Sequence, residues 1–196
     1  MNSTEEIDQA VAGIDEAGRG PLAGPVYAGA VILHPGKPIP GLTDSKLLSA
    51  QKRELLFTLI QENALAWAFG RATVEEIDRI NILQATFLAI QRAVAKLKII
   101  PQLALVDGNA SPALLCQTKT IIDGDKIEPA ISAASIVAKV LRDHEMQTLD
   151  KEFPQYGFAQ HKGYGTPQHL TALALHGPSP LHRRSFAPVA KFFVEV

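Results

Sequence analysis

The chain has 196 residues, 46% of them apolar and 20% charged, with a formal net charge of −1. That balance excludes a disordered polymer and fits one domain with a sizeable core. Near-neutral charge excludes a uniformly basic nucleic-acid binder, so any such role needs a local basic surface.

The polar start "MNSTEEIDQA" is unlike a signal peptide, and no apolar run approaches the about 20 residues that cross a bilayer. The lone Cys116 rules out an internal disulfide and suits a reducing compartment. A cytoplasmic protein without a membrane partner is expected. "VAGIDEA" and "VYAGAVIL" read as strands joined by a glycine- and proline-rich turn, and "HPGKPIPG" as a loop. Ser49 is an N-cap candidate for a helix in which Leu55, Leu56, Leu59 and Ile60 recur at helical spacing. A third strand, "LAWAFGRAT", precedes a long helix over 74–97, with Ile77, Ile80, Leu83, Phe87, Ile90 and Val94 as its apolar stripe. "LALVDG" and "TKTIID" follow as strands, then the helix "ISAASIVAKVLRDHEMQTLDKEF". From Gly157 onward, loops surround one short helix, "PQHLTALALHG". Strands and helices alternate after an opening hairpin, which predicts an α/β fold whose mixed sheet carries helices on its faces.

Several acids fit poorly with a solvated surface. Asp15 and Glu16 interrupt the apolar run of the first strand, where an unpaired carboxylate is costly to bury. Asp107 ends "LALV", and Asp123 and Asp125 follow "TKTII". Ligands gather beyond strand ends in such sheets. Carboxylates brought together there repel one another unless a cation neutralises them, and an oxygen-only set favours Mg²⁺ or Mn²⁺ over zinc. For any one acid, capping a turn is the alternative. Adjacent strand residues point to opposite faces, so Asp15 and Glu16 share a metal only if the chain bends or the longer side chain wraps round.

The blocks "GIDEAGRGPLAGPV", "LTDSKLLS", "VDGN", "ISAASIVAKVLRD", "HKGYGTPQH" and "HRRSF", in that order, resemble bacterial type 2 ribonuclease H, the ribonuclease HII family. The resemblance covers nearly the whole chain. It implies a ribonuclease H-like fold, a five-stranded mixed sheet flanked by helices. Residues 1–196 would form a single catalytic domain, with 157–196 as a substrate-contacting extension. It also implies an endonuclease that cuts RNA in RNA/DNA hybrids and nicks 5′ of single ribonucleotides in duplex DNA. That activity leaves 3′-hydroxyl and 5′-phosphate ends and serves ribonucleotide excision repair. Carried over position by position, the catalytic and metal-binding acids are Asp15, Glu16, Asp107 and Asp125, holding two Mg²⁺ or Mn²⁺ ions. The family usually has a lysine where this chain has Asp123, which leaves Asp123 and Asp125 as rivals for the fourth position, with Asp125 favoured. Gly18, Arg19 and Gly20 match the segment that contacts the 2′-hydroxyl through backbone groups, and Tyr164 matches the tyrosine that packs on the sugar.

Lys46 and the stripe Ser132, Ser135, Lys139 and Arg142 are candidate phosphate contacts, since those four recur at three- and four-residue steps while Ile136, Val137, Val140 and Leu141 turn to the core. A solvated polar face is the alternative. His161, Lys162, Arg183 and Arg184 are expected to widen the basic footprint. The resemblance implies a nucleic-acid partner, an RNA/DNA hybrid or DNA with an embedded ribonucleotide, and the protein is expected to act as a monomer. A junction resolvase or transposase-like enzyme would share the acids but needs no hydroxyl sensor, a non-catalytic hybrid binder would have lost an acid, and a phosphate-binding loop of the Walker type is absent.

Overall fold

The computed structural model describes residues 10–193, so the polar N-terminal segment and the last three residues lie outside the described residues. Five strands form one sheet in the order β3-β2-β1-β4-β5: β1 (Val11–Ala17), β2 (Val26–Ile32), β3 (Ala66–Ala72), β4 (Leu103–Asp107) and β5 (Gln117–Ile121). β1 runs antiparallel to β2 and parallel to β4, so the sheet is mixed, as expected, and the opening pair is a hairpin with a wide turn. Four longer helices accompany it: α1 (Ala50–Asn63), α2 (Val74–Ala95), α3 (Pro129–Glu152) and α4 (Pro167–His176). Ser49 caps α1 by accepting the Lys52 N–H, although Leu55, expected on its apolar face, is exposed.

Alternation in the central strands divides two cores. Ala12 and Ile14 of β1, with Ala28 and Ala30 of β2, pack beneath Ile77, Ala85, Ala89 and Ile90 of α2. On the opposite face Val31 meets Leu56 and Ile60 of α1 and Ala133, Ile136 and Val137 of α3. Here α3 lies almost on the sheet: a Cβ on Gly13 would sit 2.0 Å from the Ala130 carbonyl carbon, and one on Gly29 2.3 Å from the Ala134 oxygen. Gly13 and Asp15 share this face, so the close approach brings the start of α3 beside Asp15. The apolar stripe expected along α2 is not continuous. Asn81 takes φ 66°, and its side chain accepts the Gln84 N–H and recaps the helix, which rotates the second half so that Ala85, Ala89 and Ala93 face the sheet and Leu83 faces out.

Candidate active site

Asp15, Asp107 and Asp125 come from β1, the end of β4 and the turn before α3, and one oxygen from each lies within 4.8 Å of the others. Local bonds hold each in place. Asp15 accepts the Glu16 N–H at 2.7 Å, and Asp107 accepts the Gly124 N–H at 2.8 Å, tying strand end to turn. The Ser132 hydroxyl donates to the Asp125 carbonyl at 2.7 Å and so fixes that turn to α3. Burial, Glu16 and Asp107 drive the Asp15 pKa well up, and burial, Asp44 and Asp107 raise that of Asp125. Three oxygen donors held this close, with Lys46 the cation paired to one of them, suit a hard divalent cation, whose octahedral ligands at about 2.1 Å sit roughly 3–4 Å apart.

Glu16 lines the same pocket but is outside the three-acid group and accepts from Arg19 Nη1 at 3.3 Å. Of the two rival aspartates the structure brings in Asp125, while Asp123 is exposed and paired with Lys126 at 2.7 Å. Asp44, overlooked in the sequence, is buried and adjoins Asp125. Its signal was present in "LTDSK", two residues before Lys46, whose ammonium lies 3.6 Å from Asp125 and 3.9 Å from Asp44.

The same pocket, about 180 Å³, is lined by Gly18, Arg19, Gly20, Lys46, Lys139, Arg142 and Tyr164. Tyr164 is 45% exposed, and its ring edge lies 3.5 Å from where a Gly20 Cβ would be. The phosphate-facing stripe needs correction. Ser132 and Ser135 are buried, and their hydroxyls donate to main-chain carbonyls of the α3 region, because the close seat of α3 on glycine turns this face inward. Arg142 is also buried; it donates to the carbonyls of Pro25 and Ala23, although it still reaches the pocket wall. Lys139 pairs with Asp143 at 2.7 Å, and burial lowers its pKa.

The wider basic footprint is corrected too, since Arg183 and His161 are buried and only Arg184 of the arginine pair is exposed. Arg183 donates to the carbonyls of Gly18 at 2.6 Å, Arg19 at 2.9 Å and Gly24 at 2.9 and 2.8 Å. Beside it, a chain of histidines supports the Tyr164 segment. His169 Nδ1 donates to the Tyr164 carbonyl at 2.9 Å, so its Nε2 is an acceptor facing His182 Nε2 at 3.0 Å. His182 Nδ1 in turn accepts the Ser179 N–H. Those partners fix both rings as neutral tautomers, and burial pushes the His169 pKa down and that of His182 to about 4. Main-chain bonds stitch the three segments together: Leu22 N–H to Gly163 O, Arg183 N–H to Leu22 O and Gly24 N–H to Leu181 O, at 2.8, 2.8 and 2.9 Å.

A family model described as ribonuclease HII matches residues 12–189. Ribonuclease HII of Bordetella pertussis is 60% identical over 182 residues, covering 93% of this chain and 90% of the relative. That of Ralstonia pickettii is 62% identical, covering 91% of this chain and 78% of the relative. Among solved structures, ribonuclease H2 from Pyrococcus horikoshii superposes with a TM-score of 0.78 at 29% identity, covering 94% of this chain and 97% of its own. The Bst-RNase HIII structure in complex with Mn²⁺ has a TM-score of 0.73 at 16% identity, covering 98% and 73%, a likeness of fold.

Proposed function

The chain belongs to the ribonuclease HII family, endoribonucleases of RNA/DNA hybrids, and on that premise we propose that it also nicks duplex DNA on the 5′ side of single embedded ribonucleotides, by hydrolysis assisted by two divalent ions, and so serves their removal from DNA. The observation that carries this reading is the sharing of one pocket by Asp15 and Asp107 with the Gly18–Gly20 turn and Tyr164. Carboxylates alone would suit any metal nuclease, whereas telling RNA from DNA at a given site requires sensing the 2′-hydroxyl. Asp15, Asp107 and Asp125 are assigned as metal ligands, with Glu16 completing the set. Magnesium or manganese bound there would supply Lewis acidity to the attacking and leaving oxygens of an in-line displacement.

The chain's own groups bind and orient. Backbone of Gly18–Gly20 approaches the sugar closely because Gly20 puts no side chain in front of Tyr164, while Gly18, at φ 97°, lets the turn sit against Arg142, which a Cβ there would strike at 2.1 Å. Tyr164 packs on that sugar from the opposite side, and a deoxyribose there leaves the polar backbone groups unpaired, which disfavours all-DNA substrate. Lys46 and Arg19, both exposed, attract the phosphates flanking the acids. Residues 157–193 act as the extension that brings Tyr164 to the substrate. The deciding measurement compares nicking of a duplex carrying one ribonucleotide with its all-DNA counterpart, in Mg²⁺ or Mn²⁺. Cleavage is expected only at the ribonucleotide and is abolished by chelation; equal cutting of both duplexes overturns the reading.

A further inference from the structure

Arg142 and Arg183 are the two largest fully buried side chains, and neither pairs with a carboxylate among the described residues. A buried cation without a counterion is costly, so it is retained only where its hydrogen bonds compensate. Burial and the nearby Arg142 guanidinium lower the Arg183 pKa to about 9, which leaves it charged at neutral pH. Its four guanidinium hydrogen bonds all go to main-chain carbonyls of one stretch, Gly18 to Gly24, and the guanidinium stacks 5.0 Å from the Phe186 ring centre.

Peptide planarity gives that pattern a consequence. In a trans peptide the C=O of one residue and the N–H of the next point in opposite directions. Drawing the carbonyls of Gly18 and Arg19 inward therefore turns the N–H groups of Arg19 and Gly20 outward, toward the pocket. Neither N–H donates to a protein group among the described residues. We infer that Arg183 is a positioning residue: its fork of donors fixes the peptide planes of the Gly18–Gly20 turn so that two free N–H groups face the substrate sugar beside Tyr164. This rests on the reading of that turn as the ribonucleotide-facing surface. The guanidinium never meets nucleic acid, and its charge serves geometry rather than attraction.

Arg183→Lys tests this, because lysine keeps the charge but cannot span three carbonyls with a planar fork. Steady-state kinetics on a duplex with one ribonucleotide should show kcat reduced about 10- to 100-fold, with KM changed by less than about threefold. Mn²⁺ affinity, measured by calorimetry, and the salt dependence of kcat/KM should match the parent protein. Unchanged kcat overturns the inference, and a shallower salt dependence overturns it in favour of a phosphate contact. If the lysine variant does not fold, Phe186→Leu, which frees the guanidinium to drift, should lower kcat several-fold with the same unchanged KM; a parent-like kcat in that variant overturns the inference. The parent protein on the all-DNA duplex separates the two levels. Equal cutting there defeats the underlying reading, while a ribonucleotide-dependent parent with a fully active Arg183→Lys variant defeats only the role of Arg183.

Discussion

Asp107 has an oxygen within 4.8 Å of one from each of Asp15 and Asp125 and, among the described residues, accepts a single N–H, from Gly124. Asparagine can still accept that bond but contributes no negative charge. Asp107→Asn should therefore lower nicking by about 10³-fold or more, read on the single-ribonucleotide duplex, if the ion is held as proposed. The same change relieves repulsion on Asp15, so the metal-free variant should melt a few degrees above the parent. Full cleavage by this variant would remove Asp107 from the site. For Tyr164→Ala a larger loss in turnover than in binding is expected, since a 45%-exposed ring on a loop carries little of the fold. Strand-end position marked Asp15, Glu16, Asp107 and the Asp123/Asp125 pair as candidates in the sequence but left turn-capping open for each, and the resemblance to the family chose among them. Arg183 was not, since "HRRSF" reads as surface charge until burial is known. Ser132 and Ser135 misled for the same reason: helical spacing gives a shared face but not its direction.

At the level of elements, the seat of α3 on β1 and β2 decides where the acids meet. Gly13 and Gly29 admit the helix backbone, and Gly29→Ala forces a methyl group to 2.3 Å from a carbonyl oxygen. That substitution should destabilise by about 1–3 kcal/mol, seen as a melting drop of several degrees, and should weaken metal binding because Asp125 travels with α3. An unchanged melting temperature would deny the close contact its importance. The opening hairpin, the cap at Ser49 and the strand carrying Asp107 followed from local pattern, as alternation and capping chemistry are short-range. The break in α2 did not, because nothing in an even apolar run announces that Asn81 will leave the helix and restart it.

Across the whole molecule, two sets of groups set the pH response with opposite signs. His182 titrates near 4 when folded and near its ordinary value of 6.5 when unfolded. Between those values only the unfolded chain takes up the proton, so stability is full above about pH 6.5 and is lost as pH falls toward 4. Asp15, Glu16 and Asp125 have raised values, so the unfolded chain releases their protons first and metal-free stability falls as pH rises above the ordinary carboxylate range. A divalent ion should offset that deficit. At about 100 times its Kd, Mg²⁺ or Mn²⁺ adds about 2.7 kcal/mol, roughly 5–10 °C in Tm at pH 7.5, and clearly less at pH 5. No shift at pH 7.5 would argue against an ion between the acids. The bond from Arg183 to Gly18 joins positions 165 apart in the chain. Contacts this distant in sequence close slowly, whereas the hairpin that carries the turn assembles from neighbours. The lock on the turn therefore comes from the far end of the chain, while the strand and hairpin that carry the turn come from the near end.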